Sequence, residues 1–276
     1  MGLNESKQLF TTLNNGVIMP LLGLGTYDIL GNDAISAVSL ALETGYRLID
    51  TAQMYENEKE VGEGIRQSGV DRNDVFVTTK INNTRQGYDE TMRSFEESMN
   101  ALNIGHIDLL LIHWPIKGKR QETWKALEAL YQAGMVRAIG TGNYLLPFLK
   151  ERERYGNIIP AVNQIEFSPY LFLQEELDYC RSNGIVLQAY TPLLRGQKFS
   201  DPRLILLSKQ YGKTPAQLIL RWAVQQGIST IPKSSNPDRI RENFDIFNFT
   251  IDESDLEFMN SFHEGFRIVD DPMGMW

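Results

Sequence analysis

The chain has 276 residues, 42% of them hydrophobic and 22% charged, the proportions of a folded, water-soluble protein rather than a disordered or fibrous one. A formal net charge of -8 argues against nucleic acid as a partner, because an acidic surface repels a polyanion. Any phosphate-bearing ligand must then meet a local basic cluster.

The first eight residues, MGLNESKQ, are polar, and no apolar run approaches the ~18 residues of a membrane span. Gly2 and Ser6 fit a loose myristoylation pattern, but no polybasic segment accompanies them, so no membrane attachment is expected. From Thr11 to Met19, around Asn14-Asn15-Gly16, the turn residues of a short hairpin precede a first buried strand, LLGLGT. Strand and helix signals then alternate. DAISAVSLALE is a helix, YRLID a strand, and a helix follows Asn57. Strand VFVTTK leads to helix DETMRSFEESMNAL, strand IDLLLIH to helix RQETWKALEALYQAG, and strand VRAIGTGN to helix LPFLKERERYG. AVNQIE, QEELDYCRSNG and VLQAY continue the pattern, helices run to Gln226, and strand ISTIPKS precedes helix NPDRIRENF. The one cysteine, Cys180, falls within an apparent helix, so no intrachain disulfide forms and nothing suggests an oxidising compartment. A cytoplasmic location is the expectation.

The eight strands are short, Ile/Leu/Val-rich and continuous rather than alternating, as when both faces are buried. The helices carry apolar residues at three- and four-residue spacing, for example Trp124, Leu127, Leu130 and Tyr131, so they are amphipathic covers. The rival is a doubly wound nucleotide-binding sheet, but GLGTYD after strand one lacks the third glycine and the immediate helix of that fingerprint. The reading is therefore an α/β protein, a (β/α)8 TIM barrel with an N-terminal β-hairpin closing the bottom, in one domain over residues 1–276.

Three successive strands end in ionisable side chains, Asp50, Lys80 and His113, and a barrel gathers such ends at one face. Tyr55 stands in the loop five residues after Asp50. A phenol titrates near ~10, and a nearby ammonium is expected to lower that value. Burial alone would drive the lysine neutral, so a carboxylate beside it is needed to keep it charged. Asp50, Lys80 and Tyr55 can form such a relay, with Tyr55 as general acid. His113 would be a neutral donor orienting a carbonyl oxygen. Each residue alone has an ordinary structural explanation, as a helix cap or a solvated strand end; the recurrence on successive strands is what carries the functional reading.

At these residues the chain resembles the aldo-keto reductases, NADPH-dependent oxidoreductases on a (β/α)8 barrel. GYRLIDTAQMYENE, LLLIHWP, VNQIEFSPY and IPKSSNPDRIREN occur in the family's order, and the likeness runs from the hairpin to about Asp255. The resemblance implies a catalytic tetrad of Asp50, Tyr55, Lys80 and His113, with Trp114 in the substrate pocket. It implies further that Asn143 and Gln164 bind the nicotinamide carboxamide, that Tyr190 stacks on its ring, and that Lys233, Ser234 and Asn236 hold the 2'-phosphate. Arg239 would cover the adenine, with Glu242 and Asn243 at its amino edge. Pro237 reads independently as a helix start, and a helix N-terminus flanked by Lys233 and Arg239 can bind an anion.

The pattern departs from the family at GTGNY, where Gly142 stands in place of a serine, so one cofactor hydrogen bond is expected to be missing unless Thr141 turns inward. Short loops after His113 and Tyr190 resemble the compact, prokaryote-like branch. Tyr27, Met54 and Trp114 are expected to form a largely apolar pocket, and Phe266, Met273 and Trp276 of the tail either line it, the favoured reading, or pack on the barrel. The expected cofactor is NADPH and the expected partner a small-molecule carbonyl substrate, with no nucleic acid, no membrane, no metal and a monomeric chain. Channel-regulating or structural barrels of the same family, and phosphosugar enzymes on the same fold, are the alternatives; the intact tetrad speaks against the first two.

Overall fold

The structure, a computed structural model, describes residues 8–275; Gly2, Ser6 and Trp276 lie outside them. An antiparallel hairpin comes first, β1 (Phe10–Thr12) against β2 (Ile18–Pro20). Eight strands follow: β3 (Leu24–Gly25), β4 (Leu48–Asp50), β5 (Phe76–Ile81), β6 (Ile107–Ile112), β7 (Val136–Gly142), β8 (Val162–Glu166), β9 (Val186–Tyr190) and β10 (Ser229–Thr230). The intervening helices are α1 (Gly31–Thr44), α2 (Glu58–Gln67), α3 (Tyr88–Leu102), α4 (Arg120–Gln132), α5 (Leu146–Arg152) and α6 (Gln174–Ser182). Both α7 (Pro202–Tyr211) and α8 (Pro215–Gln225) precede β10, and α9 (Pro237–Phe244) and α10 (Glu253–Asn260) follow it.

The eight strands lie in chain order in one sheet, every neighbouring pair parallel. Parallel bridges Leu22–Thr230 and Gly25–Lys233 join its two edges, with the Gly23 N–H donating to Thr230 O at 2.9 Å and the Thr230 N–H to Leu21 O at 2.7 Å. The result is a closed (β/α)8 barrel. At this seam a Cβ on Gly25 would lie 2.8 Å from the Ile231 carbonyl oxygen. Gly23-Leu24-Gly25 is thus a closure that glycine permits, and both seam strands are shorter than their apolar runs because bridges replace a continuous ladder.

Side chains alternate between two cores. Ile49, Val77, Leu110, Ile112 and Ile139 pack outward under the helices, while Leu48, Phe76, Leu109, Leu111, Ala138 and Val162 fill the lumen. Leu13 and Met19 of the hairpin join the lumenal cluster. The Asn14 and Asn15 amides donate to Pro160 O at 3.0 Å and Arg137 O at 2.8 Å, near the starts of β8 and β7. The hairpin therefore plugs the N-terminal end, as expected, and leaves the C-terminal end for chemistry. The unanticipated α10 buries Met259 as its one fully covered side chain, too little for an apolar period. It is held instead by the Trp222 indole N–H donating to Asn260 Oδ1 at 2.8 Å.

Candidate active site

The alternation that sends Leu48, Phe76, Leu109 and Leu111 into the lumen sends Asp50, Lys80 and His113 to the same side, one layer higher, because residues two apart on a strand share a face. Lys80 and Asp50 are 0% and 1% exposed. Lys80 Nζ donates to Asp50 Oδ1 at 2.5 Å, to Thr51 O at 2.9 Å and to Tyr55 Oη at 3.3 Å. Tyr55 reaches this point from a 3-10 turn, Gln53–Tyr55, and its ring meets those of Tyr27 and His113 edge-on at centroid distances of 5.3 and 5.6 Å. All four predicted tetrad residues and Tyr27 are brought together.

Burial pushes the Asp50 carboxyl up and the Lys80 ammonium down, and each partner draws the other part of the way back through charge and hydrogen bonding. Removing either alone would strand a buried charge, at a cost on the order of 3–5 kcal/mol. Burial and the charge of Lys80 hold His113 well below its ordinary value, so the imidazole is neutral, as expected. Its Nδ1 is buried without a hydrogen-bond partner among the described residues, and a neutral ring has one N–H to donate. Tyr55 departs from expectation. Burial, then Asp50, then Tyr27 push its phenol well above the ordinary value. Desolvation of the phenolate outweighs the ammonium, so Tyr55 stays fully protonated.

Asn143 and Gln164 stand at the adjacent ends of β7 and β8, where Gly142 pairs with Gln164. Asn143 adopts a left-handed backbone, φ +62, which asparagine tolerates better than most residues. Its Nδ2 donates to His113 O at 2.9 Å and its Oδ1 accepts from Tyr190 Oη at 2.7 Å. Gln164 Nε2 donates to Asp50 Oδ2 and to Gln188 Oε1, both at 2.7 Å. A primary amide needs an acceptor and a donor. Gln164 Oε1 and the second Nδ2 hydrogen of Asn143 offer them beside the Tyr190 ring, so the set fits a nicotinamide carboxamide.

The Gly142 position behaves differently from the sequence expectation. A Cβ there would lie 2.7 Å from His113 O and 2.8 Å from Ile112 O, so β6 approaches too closely for any side chain. Thr141 does not turn inward either: its Oγ1 donates to Asn163 Oδ1 at 2.9 Å and it is fully buried. Neither supplies a lumenal hydroxyl.

At the seam, Lys233 and Arg239 are exposed and form no ion pair among the described residues, as a phosphate site requires. The expected free helix end is only partly available. Asn236 Oδ1 accepts from the Asp238 and Arg239 N–H groups, both at 3.0 Å, so an anion here would rely on the two cations more than on first-turn amides. Asn236 N–H donates to Ser234 Oγ at 3.1 Å, Glu242 Oε1 accepts from Thr214 Oγ1 at 2.6 Å, and Asn243 is buried. Ser234 to Asn243 thus line one face of the closure, though nothing brings Glu242 toward the lumen.

Tyr27 and Met54 are exposed and Trp114 half-buried beside the tetrad. Of the two places expected for Phe266, the structure shows packing on the barrel. The side chain packs against the core with the Lys198 ammonium 4.1 Å over its ring, because the tail is pulled down: Phe266 N–H donates to Tyr170 O at 3.1 Å. Met273 is 38% exposed.

Sequence reasoning missed three polar residues. Glu166, a fourth strand-terminal ionisable residue, accepts from the N–H groups of Ile268 at 2.5 Å and Val269 at 3.2 Å, and so ties the tail to the barrel mouth; the strand-end signal that singled out Asp50 could have found it. Buried Glu58 accepts from Thr79 Oγ1 at 2.5 Å and Ser98 Oγ at 3.2 Å, masked in the sequence as an ordinary acidic helix start. Gln53 had no signal at all.

Comparison with known proteins gives one family. A profile described as the Aldo/keto reductase family matches residues 21–264. Glyoxal reductase of Bacillus subtilis is 44% identical over 261 residues, covering 94% of this chain and 95% of its own. MGS-M4, an aldo-keto reductase from a Medee basin deep-sea metagenome library, superposes with a TM-score of 0.92 at 42% identity, covering 95% of this chain and 98% of its own. A Bombyx mori aldo-keto reductase solved in complex with NADP gives 0.90 at 33%, covering 96% and 95%.

Proposed function

The chain belongs to the aldo/keto reductase family of oxidoreductases, and from that premise we propose that it is an NADPH-dependent reductase of aldehydes or ketones in which Tyr55 is the proton donor. The observation that carries the reading is the Lys80 ammonium, held by Asp50 at 2.5 Å and reaching the Tyr55 hydroxyl at 3.3 Å. When bound, a reduced nicotinamide supplies the hydride. Asn143 and Gln164 would hold its carboxamide, Tyr190 its ring, Lys233, Ser234 and Asn236 the 2'-phosphate, and Arg239, Glu242 and Asn243 the adenine.

The remaining chemistry is that of the chain. Neutral His113 donates to the substrate carbonyl oxygen and aligns it, and as negative charge grows there the Tyr55 O–H transfers its proton to it. A fully protonated phenol suits that role, since it is always ready to donate. The phenolate left behind faces Lys80, whose charge Asp50 maintains, and recovers a proton from solvent. Carbonyl and hydride leave as an alcohol; one proton is consumed. Tyr27, Met54 and Trp114 present apolar surface to the substrate.

An NADPH-consumption screen across aldehydes, α-keto compounds and sugars tests the reading. Turnover of at least one carbonyl class by the wild type, lost in Tyr55→Phe, is expected; no consumption with any class would overturn it. The glyoxal reductase relative makes small dicarbonyls the first compounds to try.

A further inference from the structure

Of the four tetrad side chains, Asp50 and Lys80 are carried on strands and His113 follows one directly, but Tyr55 hangs on a single 3-10 turn with exposed residues, Met54 and Glu56, on either side. The turn's own bonds are two, Tyr55 N–H to Ala52 O at 3.0 Å and Glu56 N–H to Gln53 O at 3.2 Å. Glu56 sits at φ +55, a strained conformation for a residue with a side chain. The Tyr55 hydroxyl meets Lys80 at 3.3 Å, the long end of a hydrogen bond. Left to itself, such a turn would not fix that distance.

Two side chains clamp it. Downstream, buried Asn57 accepts from Thr51 Oγ1 at 2.7 Å and donates to Thr26 O and Ile29 O at 2.8 Å, fixing the far end to the loop that carries Tyr27. Upstream, Gln53 faces the lysine side. Its Nε2 donates to Ser94 O at 2.8 Å and Ser98 Oγ at 2.9 Å on α3, and its Oε1 accepts from the N–H of Asn82 at 2.8 Å. Asn82 lies two residues beyond Lys80. One amide therefore crosslinks the segment bearing the tyrosine to the segment bearing the lysine. Ser98 passes the connection on to Glu58, and Glu58 to Thr79, the residue before Lys80, so a ring of buried polar contacts runs behind the Lys80–Tyr55 pair.

We infer that Gln53 is a positioning residue for proton transfer: its side-chain amide sets the Tyr55–Lys80 separation. The inference rests on the proposal that Tyr55 is the proton donor. Gln53→Met keeps the length of the side chain and removes its three hydrogen bonds. Displacing a reacting group by an ångström costs up to roughly 10²-fold in rate, so reductive kcat should fall by roughly 10- to 100-fold while KM and NADPH affinity stay within about twofold. In the oxidative direction Tyr55 must act as a base, so the rate rises with pH as the phenol ionises. A more distant Lys80 stabilises the phenolate less, and the apparent pKa of that limb should move upward in the variant.

The experiment combines pre-steady-state and pH-rate measurements on wild type, Gln53→Met, Tyr55→Phe and the double variant, with thermal melts of each. Expected is that Gln53→Met has no further effect on the residual rate of Tyr55→Phe, since a positioning residue acts through the group it positions. An equal fold-loss in both backgrounds, an unmoved oxidative limb, or an unchanged kcat in folded Gln53→Met overturns the inference. If Tyr55→Phe itself turns over like wild type, it is the proton-donor assignment that fails. Should Gln53→Met not fold, Ser98→Ala removes one acceptor of the same amide from outside the mouth. It should give a smaller kcat loss with the same upward shift of the oxidative limb; wild-type behaviour of Ser98→Ala in both readouts would count against Gln53.

Discussion

Gly142→Ser looks like a gain on family grounds, since it restores a hydroxyl next to the carboxamide, yet the structure predicts a loss. The new Cβ would stand 2.7 Å from His113 O and 2.8 Å from Ile112 O, and these are backbone atoms that cannot rotate away. Overpacking of this kind costs roughly 1–3 kcal/mol, which for a chain of this size, at about 2–4 °C per kcal/mol, lowers the melting temperature by roughly 2–12 °C. The displaced carbonyl is also the acceptor of Asn143 Nδ2 at 2.9 Å, so the proposed carboxamide site and the histidine should shift together. NADPH binding should weaken or stay the same. Gly142→Ala, which adds the Cβ without the hydroxyl, should melt like the serine variant, and that separates steric cost from lost chemistry. Thr141→Val should leave NADPH affinity unchanged, because Thr141 bonds Asn163 on the far side of the strand. Differential scanning calorimetry and fluorescence titration with NADPH are the assays. A two- to tenfold tighter NADPH complex for Gly142→Ser with an unchanged melting temperature would refute the reasoning.

Tyr55→Phe should reduce carbonyl turnover by at least roughly 10²-fold, the scale of general acid catalysis, with NADPH affinity nearly intact; rapid single-turnover reduction by the variant would remove Tyr55 from the mechanism. Lys233→Ala should weaken NADPH by at least about tenfold, since a charge-assisted bond to phosphate contributes on the order of 1.5–3 kcal/mol, and should leave NADH nearly unaffected; an equal loss for both cofactors would displace the 2'-phosphate site. His113 is held well below its ordinary value when folded, so below pH ~6.5 the unfolded imidazole takes up a proton that the folded one refuses, and stability falls as pH drops. Between pH 7.5 and 5.5 this amounts to at most about 1.4 kcal/mol, so urea unfolding should show wild type losing more stability than His113→Gln; equal losses would mean the imidazole is already charged in the fold.

The barrel was legible because its determinants are local and periodic. Each short Ile/Leu/Val run is a strand, each three- to four-residue apolar stripe a helix, and Asp50, Lys80 and His113 are found by asking which ionisable residue closes each apolar strand segment. The same rule extends to Glu166, which ends VNQIE. What could not be read depends on distance between strands rather than along them. The contact of Gly142 with His113 O joins β7 to the end of β6 and has no counterpart in either segment alone. The upward displacement of Tyr55 depends on how completely water is excluded, which the neighbouring Lys80 in the sequence does not reveal. Gln53 looks like any polar loop residue until α3 and Asn82 close around it, and α10 offers a single buried methionine where a stripe would be needed.

These placements imply different failure modes for the two halves of the tetrad. Asp50 and Lys80 are buried on rigid strands and satisfy each other, so truncating one leaves an uncompensated charge inside the barrel and is felt first as instability, on the order of 3–5 kcal/mol. Tyr55 contributes little to the core. It rests on a turn of three residues in which Met54 before it and Glu56 after it face solvent, and the one side-chain polar partner of its hydroxyl among the described residues is Lys80. Changes that loosen the turn should therefore leave the barrel's stability nearly untouched and reach the rate through geometry alone. Rigid strands thus keep the charge that a Tyr55 phenolate would need, while Tyr55, the proposed proton donor, is attached by side-chain bonds from Gln53 and Asn57, so that clamp is where a substitution is expected to change activity with little change in the fold.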